Sequence, residues 1–301
     1  MKIAYLLFAY KNPKLMQKCI EALSSNDSSF FVHIDLKSRI DEFSRMKRDN
    51  VFFCRERLPV YWAEYSGVEA ILLLIRSAIE RGRSDYLVLL SGSEYPIQSR
   101  DYIHAFLEEN RGQEFLSLVK MPNEAAGKPL SRINTLRVPS TKPVRHFGAR
   151  VLAKVGLAER DYHGYLGSLE PYAGNTWWAL SSDACEYVLD FAGRCPRVVK
   201  FFQNVFAPEE LFFHTILGNS RFASCTRRNL LYEDWSLRGD RPAMITDRHL
   251  QLFAQQNRVF VKDEYGSGEV LFARKFSDDT LDLVTKIDEI IATREASSRL
   301  R

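Results

Sequence analysis

The residues most able to do chemistry in this chain are an acid pair. Phe206-Ala207-Pro208-Glu209-Glu210 runs directly into Leu211-Phe212-Phe213-His214-Thr215-Ile216-Leu217. The apolar stretch reads as a helix from Pro208 to Leu217. Proline at a first helical position and acids in the first turn are ordinary helix-start chemistry. A carboxylate held at the wall of a cleft has a second use, because it can take the proton of a substrate hydroxyl. Cap and base are both open on the residues alone. Other candidates are scattered: Asp35 after Val32-His33-Ile34, Glu94 in Ser91-Gly92-Ser93-Glu94, the Arg274-Lys275 pair, Arg238 and Arg241, and the aromatic residues Tyr61, Trp62, Trp177, Trp178 and Trp235.

The elements that must position them follow from hydrophobic patterning. Ile3 to Phe8 and Tyr86 to Leu90 are continuous apolar runs, and Phe30 to Ile34 and Val51 to Phe53 are shorter ones. Between them, Pro13 to Leu23 and Tyr65 to Ile79 carry apolar residues at helical spacing. Buried strands alternating with helices imply an α/β fold with a mostly parallel sheet covered on both faces. Ligands in such sheets bind beyond the carboxyl ends of the strands. Phe8 to Lys11, Asp35 to Lys37 and Ser91 to Glu94 therefore share one crevice. Further on, Thr176 to Leu180 reads as a strand, Ser182 to Phe191 as a helix capped by Ser181 or Ser182, Gly266-Ser267-Gly268 as a hairpin turn, and Asp278 to Ala292 as an amphipathic helix with a frayed tail.

The chain has 301 residues, 46% of them hydrophobic, which is enough for one large domain. We divide it into a nucleotide-binding half, about 1–118, and an acceptor-binding and catalytic half, about 119–301. Residues 120–165 read as an irregular basic insertion, and 137–150 would tolerate an anionic membrane surface. The net charge of +4 suits a phosphorylated ligand and does not call for nucleic acid. Five cysteines without a CxxC read as free thiols of a reducing compartment. The apolar N-terminal run is too short for a signal peptide, and no run reaches membrane-span length. There is no G-x-G-x-x-G after the first strand, no P-loop, no G-x-S-x-G elbow and no Asp-x-Asp metal pair. Dinucleotide dehydrogenases, P-loop NTPases and α/β-hydrolases are thereby disfavoured.

Taken in order, Ile3-Ala4-Tyr5, Val32-His33-Ile34-Asp35-Leu36-Lys37-Ser38, Leu90-Ser91-Gly92-Ser93-Glu94-Tyr95-Pro96-Ile97, Pro208-Glu209-Glu210 with Thr215, and Leu271-Phe272-Ala273-Arg274-Lys275-Phe276 resemble the core-2/I-branching β-1,6-N-acetylglucosaminyltransferase family, which includes the peptide O-xylosyltransferases. The resemblance implies a GT-A type nucleotide-sugar fold and an inverting enzyme that needs no metal cofactor. It assigns the general base to Glu210 and leaves Glu209 to cap the helix or contact the acceptor. It places Lys275 on the diphosphate, with Arg241 or Arg238 as a second cation. Phe8 and Asp35 would line the nucleotide pocket, joined by Trp62, or by Tyr61 if the gap falls one residue later. Glu94 stands where family members usually carry Asp, for a sugar contact. Trp235 is our choice for acceptor contact.

The resemblance further implies a UDP-sugar donor, with UDP-GlcNAc first and UDP-xylose second. Animal members carry an anchor and disulfides, and this sequence shows neither. The expectation is therefore a compact cytoplasmic enzyme of bacterial type, peripheral at most to the membrane. Its acceptor would be a glycan or lipid-linked oligosaccharide. The alternatives are a nucleotide-sugar-binding protein without catalysis and a basic polyanion-binding protein.

Overall fold

A computed structural model describes residues 1–137, 160–237 and 241–299. The first half contains β1 (Ile3–Ala9), α1 (Pro13–Leu23), β2 (Ser28–Ile34), β3 (Val51–Phe53), α2 (Ser66–Arg81), β4 (Tyr86–Ser91), β5 (Glu94–Pro96), α3 (Arg100–Glu109) and β6 (Glu114–Leu116). After these come β7 (Val119–Lys120), α4 (Ser131–Asn134), α5 (Tyr162–Leu166), β8 (Tyr172–Ala173), β9 (Trp178–Ser181), α6 (Ser182–Arg194) and α7 (Pro196–Phe202). The last part holds α8 (Phe212–Gly218), β10 (Thr226–Arg227), β11 (Leu231–Glu233), α9 (Asp247–Gln255), the hairpin β12 (Val259–Asp263) and β13 (Gly266–Val270), β14 (Phe272–Arg274) and α10 (Leu281–Arg299).

Seven strands form the central sheet in the order β10-β6-β9-β4-β1-β2-β3. Pairing is parallel except where β9 runs against β4 and β6. Counted along the sheet this is 3-2-1-4-6-5-7 with the sixth strand reversed, the GT-A arrangement. Strand β1 shows why both faces are covered. Ile3, Tyr5 and Leu7 enter a core under α1, while Ala4 and Leu6 enter a second core under α2. That is the period-two alternation of a strand buried on both sides. On α1 the inward residues are Leu15, Met16, Cys19, Ile20 and Leu23; on α2 they are Val68, Ile71, Leu74, Ile75 and Ala78. A second sheet, β11-β14-β5, lies past the carboxyl edge of the first. It delivers Glu233, Arg274 and Glu94 to neighbouring positions.

Several boundaries differ from the sequence reading. The expected helix from Pro208 to Leu217 breaks. Pro208–Glu210 is a single 3-10 turn, Leu211 leaves helical geometry with φ −128° and ψ −43°, and α8 starts at Phe212. The cause is a competing partner: the Glu210 carbonyl accepts the Gly174 N–H at 3.0 Å. Ser181 caps α6, accepting from the Ala184 N–H. The hairpin turn lies at Glu264-Tyr265, two residues before the glycines. The C-terminal helix continues past Ala292 to Arg299. Residues 138–159 of the basic insertion, nearly all of the 137–150 segment included, lie outside the described residues, as does Arg238.

Candidate active site

One cleft of about 490 Å3 opens where the crevice was expected. It is built from strand ends. Ala9 leads to Tyr10, Ile34 to Asp35, Leu90 to Ser91 and Ser93, and Arg274 to Lys275. Two of these loops are stitched together. Asn12, at φ 60°, donates its side-chain amide to Gly92 O at 2.8 Å. A Cβ on Gly92 would stand 2.7 Å from Lys11 O, so only glycine permits the approach.

On one side are the residues expected at the nucleotide. Phe8 stands 6.0 Å from His33, ring to ring. Asp35 is buried and fully engaged by Lys37: Oδ1 accepts the Lys37 N–H and Oδ2 the Lys37 Nζ, each at 2.8 Å. The same Nζ donates to Val60 O and lies 4.4 Å from the Tyr61 ring centre. Arg57 fixes the loop from outside by donating to the carbonyls of Ile34, Asp35 and Ser38. Tyr61 is thus packed against Lys37, the partner of Asp35. Trp62 also lines the cleft but is 74% exposed, packed edge-on against Phe206 at 5.7 Å.

Next come the cations: Lys275 and Arg241 line the cleft, and Lys11 lies near Lys275. Lys275, Arg241 and Lys11 converge; none forms an ion pair with an acid among the described residues. Burial lowers the proton affinity of Lys275, and the positive charges of Arg274, Lys11 and Arg241 lower it further. Arg274 has acidic neighbours. Its Nε is 3.3 Å from Glu94 and its NH1 3.7 Å from Glu233, and its guanidinium lies 4.9 Å from the Trp177 ring centre. Glu94 is therefore behind the cleft wall, 1% exposed, accepting from the Ser91 N–H and hydroxyl. Of the expected binding residues, it is the one the cleft does not reach.

On the far side is the acid pair. Ala207, at φ 49°, donates its N–H to Ala63 O, and Ala63 is itself at φ 56°. This holds the 3-10 turn so that both carboxyl groups line the cleft. Glu210 Oε2 accepts from Lys128 Nζ, and from Arg132 NH1 at 2.7 Å. Its Oε1 has no hydrogen-bond partner among the described residues. Lys128 is 4% exposed; burial, the larger effect, lowers its proton affinity although Glu210 raises it. Glu209 is different. Its Oε2 is walled off from solvent without a partner among the described residues. Burial pushes its pKa up to about 8, and the neighbouring Glu210 adds to the rise.

Trp235 sits at the mouth, 48% exposed. Asp234 anchors its loop by accepting from the Ser236 N–H at 2.8 Å and bonding His249 Nε2 at 2.9 Å. Burial raises the Asp234 pKa, but those bonds outweigh it and bring it down to about 2.

The structure thus brings Phe8, Asp35, Trp62, Arg241, Lys275, Glu209, Glu210 and Trp235 to one cleft. Sequence reasoning placed Lys11 and Lys37 at the crevice without giving them a role, and missed Lys128, Arg132 and Glu233. Lys128 and Arg132 fall in the stretch read as irregular and basic, where spacing gives no sign of a carboxylate partner 82 and 78 residues away.

A cleft past the carboxyl ends of parallel strands is the usual ligand site of an α/β protein. The model of the Core-2/I-Branching enzyme family matches residues 3–256, and the chain belongs to that family. It is 24% identical over 245 residues to xylosyltransferase 1 of Rattus norvegicus, covering 78% of this chain and 28% of the relative. It is 25% identical over 256 residues to xylosyltransferase 1 of Homo sapiens, covering 78% and 24%. The chain thus spans about a quarter of the length of these curated relatives. Among solved structures, glucosyl-3-phosphoglycerate synthase from Mycobacterium tuberculosis aligns with a TM-score of 0.30 at 12% identity, over 65% of this chain and 66% of that one. No helix among the described residues is long and apolar enough to cross a membrane.

Proposed function

We propose that this protein transfers a sugar from a UDP-sugar to a hydroxyl of a glycan acceptor, with inversion and without a metal cofactor. The observation that carries the reading is the placement of Lys275 and Arg241, without acid partners among the described residues, in the same cleft as the Glu209-Glu210 pair, with the charge of Lys11 near Lys275. Cations left unpaired in a cleft suit an anionic ligand. A leaving diphosphate is such a ligand, and its growing charge is what the cations stabilise. The uridine lies toward Phe8, Asp35 and Tyr61.

Glu210 acts as the general base. Lys128 and Arg132 hold one carboxylate oxygen and leave the other to meet the acceptor hydroxyl. The acceptor oxygen gives its proton to Glu210 as it bonds to the anomeric carbon, and the bond from that carbon to the UDP oxygen breaks with its electron pair leaving on UDP. Attack opposite the leaving group turns an α-linked donor into a β-linked product. Trp235 offers an apolar face to an acceptor sugar at the mouth. The family supports UDP-GlcNAc as donor, and the xylosyltransferase relatives support UDP-xylose.

The test is UDP release from a panel of UDP-sugars, with and without EDTA and with candidate acceptors. Acceptor-dependent release that survives EDTA is the expected result. Release abolished by EDTA would sink the metal-free mechanism, and no release from any donor would sink the transferase reading.

A further inference from the structure

The two acids of the pair, adjacent in sequence, are in opposite electrostatic settings. Glu210 is held by two cations. Glu209 has no ion pair among the described residues and one oxygen walled off without a partner. Opposite it is the first turn of α2 at Gly67, packed so closely that a Cβ there would stand 3.9 Å from both Cδ and Oε2, at van der Waals contact. A buried oxygen without donors is a poor seat for negative charge, and protonation relieves it. The protonated group gains an O–H donor while keeping an acceptor.

We propose that Glu209 binds a sugar hydroxyl in the cleft as a neutral carboxylic acid, leaving Glu210 as the charged member of the pair. This rests on the sugar-transfer reading of the same cleft. The hydroxyl belongs either to the transferred sugar or to the acceptor. Burial dominates the electrostatics of Glu209. A hydrogen bond from its own backbone N–H is the main opposing effect, Glu210 beside it reinforces the proton, Lys128 and Arg132 oppose it from the 128–132 segment, and α2 faces it with Gly67. The resulting pKa of about 8 keeps the acid protonated at neutral pH.

The consequence is a decline in substrate affinity above about pH 8, when a second anion enters a cleft built for a diphosphate. Steady-state kinetics from pH 6 to 9 on wild type, Glu209→Ala and Glu209→Gln test this. Glu209→Ala should raise one KM about tenfold, the loss of a buried hydrogen bond. A raised donor KM assigns the hydroxyl to the transferred sugar, and a raised acceptor KM to the acceptor. Glu209→Gln, which keeps a donor and an acceptor, should recover most of that loss and flatten the alkaline decline. Both KM values unchanged in Glu209→Ala, or a Gln variant as impaired in kcat as Glu210→Gln, would overturn the proposal. A carboxyl-carbon NMR titration of wild type, with the Glu209 signal identified by its loss in Glu209→Gln, reads the protonation without any activity. A midpoint near 8 supports a neutral acid even if every donor fails and the transferase reading falls; a midpoint in the ordinary carboxylate range refutes it.

Discussion

Glu209→Gln should stabilise the protein, and more so as the pH rises. The folded-state pKa of Glu209 is about 8 against an ordinary value of 4.5. Above pH 4.5 the unfolded chain releases this proton while the folded chain keeps it. Unfolding is therefore favoured progressively as pH rises from about 4.5 to 8, beyond which both states are ionised and the penalty is constant. One pKa unit corresponds to about 1.4 kcal/mol, so the penalty is about 3 kcal/mol at pH 7 and approaches about 5 kcal/mol at pH 8. Glutamine has the same shape and no proton to lose. Urea unfolding of wild type and variant at pH 5, 7 and 8 isolates the effect, because every other titrating group is common to both. The stability gap should be near zero at pH 5 and open to a few kcal/mol by pH 8. Parallel pH curves would refute the reasoning, since they would mean that Glu209 ionises normally in the folded protein.

Three further outcomes follow from the geometry. Glu210→Gln should lose about 10²-fold or more in kcat, the scale of a general base, with UDP affinity by calorimetry little changed; near-normal turnover would remove Glu210 from that role. Lys275→Ala should weaken UDP binding about tenfold or more, the cost of a charge-assisted contact, and equal affinity for UDP in a titration would count against its place on the diphosphate. Gly174→Ala should fail to give folded protein or unfold at much lower temperature, because its Cβ would lie 1.7 Å from Ser117 O and 2.6 Å from the His214 ring. A Gly174→Ala variant with wild-type circular dichroism and melting would show that this junction can yield.

Much of the frame was legible from patterning. Runs such as Ile3–Ala9 and Tyr86–Ser91 are apolar because α1 and α2 cover opposite faces, and this physical cause is visible one residue at a time. What could not be read was set by long-range hydrogen bonds. The 208–217 segment has a helix pattern, but the Gly174 N–H draws off the Glu210 carbonyl and ends the turn. The short strands β5, β11 and β14 carry three or fewer residues each, below the length at which alternation says anything. They nevertheless decide the site, because the β14 pairing with β5 and β11 sets Arg274 between Glu94 and Glu233. The packing of Lys37 on the Tyr61 ring is likewise something no spacing rule gives, while both Tyr61 and Trp62 line the cleft.

The charge pattern of the cleft makes a single argument of its parts. Asp35 is matched by Lys37, Glu210 by Lys128 and Arg132, and Arg274 by Glu233 and Glu94. Each of those carboxylates is answered within the protein. Among the described residues Lys275, Arg241 and Lys11 are not answered, and in the proposed reading Glu209 adds no charge against them. A cleft arranged this way keeps its positive potential for the ligand instead of spending it on internal pairs, and the potential is strongest where the diphosphate would lie. Ionising Glu209 would set a fourth anion among Glu210, Glu233 and Asp35, all lining the same cleft. In that reading a neutral Glu209 would let two neighbouring glutamates face an anionic donor: Glu210 would accept a proton from the acceptor, and Glu209 would hydrogen-bond without repelling the donor.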